Sequence, residues 1–263
     1  MSETLRVVRD GPFARVTLAR PEVRNAFNAP LIEELRRTFD GLAEEPPEAL
    51  RGVVLAGQGP VFCAGADVEW MRTSVSLSVD ENERDASAMQ RMFAAIDACP
   101  VPVIARVHGA ALGGGMGLCA VSDVVVATAD VTFGFTETKL GIIPAVISTF
   151  VVPKIGESHA RALFATGERF GGDRALRIGL VHDVVPDEVA LDARVQDLLD
   201  ELRSAGPRAA RAAKSLVREI RAQGPEAAAG RMPGRIARQR TSEEGQEGLT
   251  AFLERRPPRW KGE

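Results

Sequence analysis

The stretch that most constrains this chain is residues 108–118, His-Gly-Ala-Ala-Leu-Gly-Gly-Gly-Met-Gly-Leu. Glycine at 109, 113, 114, 115 and 117 strips five side chains from one short bend. An apolar run, Val101 to Val107, feeds straight into it, and a helical segment leaves through Leu118, Cys119, Ala120 and Val121. Glycine there lets backbone N–H groups approach a ligand closely, or supplies a positive φ that other residues resist. The helix that follows offers its N-terminus to a partial negative charge. That charge is either a phosphate or an oxyanion created during chemistry.

The rest of the chain reads as strands and helices arranged around this bend. Leu5–Arg9 and Phe13–Leu18 flank Asp10-Gly11 as a β-hairpin. Asn28 and Pro30 open a helix whose Leu31, Leu35, Phe39 and Leu42 share one face, and Pro46-Pro47 closes it. Gly52–Ala56 is a short buried strand, followed by a second glycine turn, Phe62-Cys-Ala-Gly-Ala-Asp67. Residues 72–86 are polar and are expected to be a mobile segment. Met89, Met92, Phe93 and Ile96 mark a helix packed on the core and ended by Pro100 and Pro102. Val103–Val107, Val124–Ala127 and Val131–Phe133 are strands, and their alternation with helices predicts parallel pairing through right-handed crossovers. From residue 144 onward the pattern is helical (144–155, 157–165, 187–204, 207–222 and 243–255), with Val181–Val185 alone strand-like. The fold class is therefore α/β, with a sheet-rich portion followed from about residue 144 by a helical one.

Composition narrows the functional classes. The 263 residues are 45% hydrophobic and 26% charged with a net charge of −3, so nothing favours a nucleic acid as partner. No run approaches the roughly 18 apolar residues of a membrane span, and the N-terminus lacks a charged-then-apolar signal, so a cytoplasmic protein without membrane attachment is expected. Cys63, Cys99 and Cys119 are too scattered for a zinc site or a disulfide framework, and read as small buried hydrophobes. His108, His159 and His182 are isolated and read as structural or surface residues. No metal ligand set is present.

A phosphate-binding reading rests on Gly115-Met-Gly117-Leu-Cys-Ala120, which matches G-x-G-x-x-A, with Asp130 as the ribose-binding acid. That acid follows the glycines too soon, and the turn at 62–67 is left without a role. The two turns make better sense together. Each follows a buried strand and can offer an uncovered backbone N–H. Two such donors on one oxygen form an oxyanion hole, where one donor contributes roughly 3–4 kcal/mol of barrier lowering. The proton-transfer group that such a hole needs is Glu137, flanked by Phe133, Phe135, Leu140, Ile142 and Ile143. Desolvation there raises a carboxyl toward the working range of a general acid or base. Spacing alone equally allows a surface glutamate paired with Lys139.

Taken together, Arg24-Asn-Ala-Phe-Asn28, Phe62-Cys-Ala-Gly-Ala-Asp67, the 108–118 turn, Glu137 through Pro144 and Glu247-Gly-Leu-Thr-Ala-Phe252 are recognisable. Over essentially its full length the chain resembles the crotonase (enoyl-CoA hydratase/isomerase) family. The resemblance implies a spiral core of repeated ββα units over 1–200 and a C-terminal helical trimerisation region over 201–263, assembled as a homotrimer or as a hexamer made of two trimers. It implies an acyl-CoA thioester as substrate, with no separate cofactor because coenzyme A is part of that substrate. The oxyanion donors would be the amides of Ala66 and Gly114, with Glu137 managing water and protons. Arg24, Ala26, Ala64, Ala66, Asp67 and Val68 would lie along the coenzyme A, and Phe252 would reach a neighbouring subunit's nucleotide pocket.

One position departs from the family pattern. Typical hydratases carry a second glutamate in the helix after the glycine turn, where this chain has Gly117. Asp67, Glu69 or Asp85 would then supply any second group. Gly65-Ala-Asp-Val-Glu-Trp-Met71 and Lys139-Leu-Gly-Ile-Ile-Pro144 resemble the methylglutaconyl-CoA and carboxygeranoyl-CoA hydratase branch. A substrate of that type needs a cation for its distal carboxylate, and Arg72, Arg91 and Lys139 are the candidates. The expected reaction is hydration of a 2-enoyl-CoA. A Δ3,Δ2-enoyl-CoA isomerase and a silent acyl-CoA binder are the alternatives.

Overall fold

A computed structural model describes residues 4–262. Its main sheet has the order β1(Leu5–Asp10), β2(Phe13–Leu18), β3(Gly52–Gly57), β4(Val103–Val107), β6(Val124–Thr128) and β9(Asp183–Val185). The β1–β2 hairpin turns at Gly11, whose φ is 54°, and is antiparallel, while every later neighbour in this sheet is parallel. The parallel strands β3 and β4 are almost wholly buried and correspondingly rich in Val, Leu and Ile.

A smaller sheet lies beside it. β5(Ala110–Leu112) pairs in parallel with β7(Thr132–Gly134), which pairs antiparallel with β8(Arg169–Gly171). The chain therefore repeats one motif: a strand in the large sheet, a short strand in the small one, then helix. β4, β5 and α4(Gly114–Val121) form one turn of it, and β6, β7 and α5(Ala145–Ile155) form the next. A parallel bridge from Cys63 to Ala111 carries the small sheet's line back to the preceding unit. These are the repeated ββα units of the expected spiral.

The other helices are α1(Ala29–Ala43), α2(Val68–Ser74), α3(Val79–Ala98), α6(Glu157–Thr166), α7(Gly172–Arg177), α8(Glu188–Ser204), α9(Pro207–Gln223), α10(Pro225–Ala229), α11(Met232–Thr241) and α12(Glu243–Leu253). Asn28 starts α1 by accepting a hydrogen bond from Leu31 N, with Pro30 in the first turn. α8 runs across residue 200, so the boundary drawn from sequence falls inside that helix. Lys214 on α9 bonds the carbonyl of Val101 and the carboxylate of Asp123, fastening the helical region to the sheet.

The expected mobile segment at 72–86 is instead built from two helices. Asp67 caps α2 by accepting from Glu69 N. Ser78 and Glu81 form a reciprocal capping box at the start of α3, which satisfies two amides that the first turn leaves without helical partners. The buried core includes Phe27, Phe39, Phe62, Phe93, Phe133 and Phe135, with Met92 and Ile96 from α3. Among the described residues no helix is long and apolar enough to cross a membrane.

Candidate active site

The loop at 24–28 and the turn at 62–67 are tied to one another by main-chain hydrogen bonds. Ala64 N donates to Arg24 O at 3.0 Å, Phe27 N to Gly65 O at 2.7 Å, and Asp67 N to Phe27 O at 2.9 Å. Arg24 and Asn25 both adopt left-handed φ, 54° and 57°. Asn25 is fully buried, accepts from Arg20 N and donates to the carbonyls of Gln58 and Val61. That buried amide takes the place of a regular ladder in holding the bend.

The second turn is fixed in the same way. Cys63 N donates to Ala110 O, Leu112 N to Cys63 O, and Gly113 N to Gly134 O. Gly65 has φ +97° and Gly113 φ +48°. A Cβ on Gly65 would come within 3.0 Å of Leu112 O and 3.8 Å of Gly113 Cα, so the two turns lie against each other. A Cβ on Gly114 would lie 2.6 Å from the Phe27 ring, which is why that position takes no side chain. Among the described residues the amides of Ala66 and Gly114 donate to no protein acceptor, although their neighbours in both turns do.

Glu137 completes the arrangement. β7 delivers Phe135 into the core against Phe164, at 4.9 Å between ring centroids, and a tight helical turn over Thr136–Leu140 follows. That turn aims Glu137 at the glycines: a Cβ on Gly113 would be 3.4 Å from Glu137 Oε1. Oε2 is buried without a hydrogen-bond partner, and burial pushes the carboxyl above its ordinary value. No ion pair joins Glu137 to Lys139 among the described residues, so the surface-pair alternative is discarded. Ala64, Ala66, Gly113, Gly114 and Glu137 border one cavity of about 380 Å³, within the range of small-molecule sites. Its walls are mostly apolar, with Trp70, Met71, Met89, Leu140, Ile142, Ile143, Val146 and Ile147.

The remaining candidates separate clearly. Gly117 has no room for a carboxylate, because a Cβ there would lie 2.5 Å from Ile147 Cγ2 and 2.6 Å from Phe93 Cζ. Asp67 is committed elsewhere: it bonds the Arg20 guanidinium at 2.7 Å and caps α2. Burial alone would raise its carboxyl, but Arg20 and the amides of Glu69 and Trp70 hold it below the ordinary range. Glu69 pairs with Arg72 on the exterior. Of the three suggested second groups, only Asp85 lines the cavity. None of the expected cations does: Arg72, Arg91 and Lys139 all lie outside its wall.

Ala26 is buried, Arg24 is exposed beside it, and Val68 is 64% exposed at the start of α2. Phe252 is 81% exposed on α12 and does not line the cavity. His108 is buried with Nε2 2.7 Å from Gly59 O, and His182 accepts from Val125 N, so both hold structure. The buried thiols of Cys63 and Cys119 are pushed up to about 12, which rules out thiolate chemistry near neutral pH. Two wall residues were not singled out from sequence. Met89 reads as pure core packing yet lines the cavity, as does Trp70. The signal was the α3 face itself, where Asp85, Met89, Phe93 and Ile96 fall at helical spacing with one acid among apolar residues.

Known proteins share this chain's sequence and fold. The family model described as enoyl-CoA hydratase/isomerase matches residues 10–263. The enoyl-CoA hydratase ACTT6 of Alternaria alternata is 37% identical over 82% of this chain and 70% of its own. The 2,3-dehydroadipyl-CoA hydratase of Escherichia coli is 32% identical over the full length of both chains. The solved structure of Pseudomonas aeruginosa AtuE superposes with a TM-score of 0.94 at 37% identity, covering 98% of this chain and 100% of that one. On fold, turn geometry and sequence together, the chain belongs to the enoyl-CoA hydratase/isomerase (crotonase) family.

Proposed function

We propose that the chain is an enoyl-CoA hydratase, adding water across the 2,3 double bond of an acyl-CoA thioester. One observation carries the proposal: two unengaged amides, Ala66 and Gly114, border the same cavity as a buried carboxyl with an orphan oxygen. A thioester carbonyl seated between the amides becomes an enolate as oxygen adds at C3, and the two N–H groups stabilise charge that appears only in the transition state. As a carboxylate, Glu137 takes a proton from the attacking water. As the acid so formed, it returns that proton at C2. A raised pKa suits a group that must do both. Arg24, Ala26, Ala64 and Val68 line the approach for the coenzyme A portion. α9–α12, with exposed Leu249, Phe252 and Leu253, form the contact region of a trimer or of paired trimers.

The packing of Phe93 and Ile147 against Gly117 leaves one glutamate, which favours a second reading. A single carboxyl can also carry a proton between C2 and C4, as a Δ3,Δ2-enoyl-CoA isomerase requires. Incubation with a 2-enoyl-CoA and a 3-enoyl-CoA in ¹⁸O-labelled water separates the two. Labelled 3-hydroxyacyl product supports hydration. A shifted double bond without label supports isomerisation and overturns it. The acyl group is not transferred from relatives: a dehydroadipyl chain ends in a carboxylate, and no cation lines this cavity among the described residues.

A further inference from the structure

The cavity contains a second carboxylate that the proposed chemistry leaves unused. Asp85, on α3, is half-buried and lines the wall with Glu137. No Lys, Arg or His is among the described lining residues, and Asp85 has no ion-pair partner among them. The polar groups beside it are also oriented as acceptors. Asn82 lies on the same face one turn earlier, and its Nδ2 is directed to the carbonyls of Ser74, Leu77 and Ser78 at 3.2–3.4 Å, so its remaining polar atom is an oxygen. Ser74 donates its hydroxyl to Met71 O at 2.7 Å. This part of the cavity therefore presents a carboxylate and an amide oxygen within an otherwise apolar wall.

A ligand ending in a carboxylate would place its charge beside a like charge, with no cation among the described lining residues to compensate. An alkyl end meets apolar walls, and a hydroxyl end finds acceptors. We propose that Asp85 is the specificity-determining residue of this site, selecting acyl thioesters with neutral or hydroxyl-bearing ends over those ending in carboxylate. The inference rests on the acyl-thioester reading of the cavity and adds the substrate class to it.

Calorimetric binding of hexanoyl-CoA and of its ω-carboxy counterpart, adipyl-CoA, tests the inference without requiring turnover. The wild-type chain is expected to bind the neutral ester at least about tenfold more tightly. The ratio moves toward unity in Asp85→Asn and inverts in Asp85→Arg, and raising the salt concentration compresses it in the wild type. Equal affinities in the wild type, or a ratio that neither variant changes, would overturn the inference. Selective binding without hydration of the matching 2-enoyl thioesters would uphold the role of Asp85 and contradict the hydratase reading alone. Failure of both esters to bind would overturn both.

Discussion

Phe93 occupies the space that a side chain at Gly117 would need: a Cβ there would lie 2.6 Å from the ring's Cζ and 2.7 Å from Cε1. Phe93 is itself locked by edge contact with Phe27 and a tilted contact with Phe150, each at 6.1 Å between centroids. Phe27 in turn covers Gly114, the proposed oxyanion donor. The absence of a second glutamate is thus built into the packing that shapes the hole.

Gly117→Glu is therefore expected to destabilise the fold by about 1–3 kcal/mol through overpacking, without creating a two-carboxylate site. Denaturant unfolding and hydration rate measured on the same preparation check this. A stable variant with raised activity would show that the Phe93 wall yields easily.

Glu137 sits at a cost to stability. Burial raises its folded-state pKa above the unfolded value near 4.5, so its ionisation favours the unfolded chain. That penalty is absent below the unfolded value, grows as pH rises through it, and is complete above the folded value. Glu137→Gln should accordingly be more stable than wild type at pH 8. The two should converge near pH 4, as judged from urea midpoints.

Asp67 works in the opposite direction. Its folded-state pKa is depressed, because Arg20 and two amides outweigh burial, so its contribution is present above about 3.8 and lost as pH falls through the lower folded value. Asp67→Ala breaks the Arg20 pair and the α2 cap together and should cost about 2–4 kcal/mol near neutral pH. Since the pair anchors the residue next to the proposed donor Ala66, kcat should fall as well.

Lys154 offers a test on the alkaline side. Its ammonium bonds the carbonyls of Cys119 and Ser122 at the C-terminal end of α4, and burial pulls it from 10.5 to about 8. Between those values the unfolded chain binds the extra proton, so this residue's contribution to stability increases as pH rises from about 8 toward 10.5. In Lys154→Met that gain, on the order of 3 kcal/mol, should vanish from the pH dependence of unfolding.

Much of this was legible in the chain because glycine and proline punctuate it strongly. The hairpin at Asp10-Gly11, the buried strands and both turns read directly, and the residues around Glu137 announced its desolvation. The segment at 72–86 was misread because its mean polarity hid two capping signals, Asp67 before α2 and Ser78 with Glu81 at α3. Contacts between distant segments carried no local trace. Nothing near Gly117 reveals that Phe93 and Ile147 close over it, and nothing near Arg72 or Lys139 places their side chains outside the cavity. Asp67 offered a carboxylate in the right motif, but its pairing with Arg20 joins residues 47 apart in sequence.

In the proposed hydration Glu137 moves the proton between water and the enolate held by Ala66 and Gly114. The most direct measurement is the hydration rate of crotonyl-CoA by Glu137→Gln, followed as loss of the conjugated enoyl-thioester absorbance, with calorimetric affinity for butyryl-CoA alongside. In this variant kcat is expected to fall about a thousandfold with affinity changed only a few-fold. A variant that hydrates at close to the wild-type rate would contradict it.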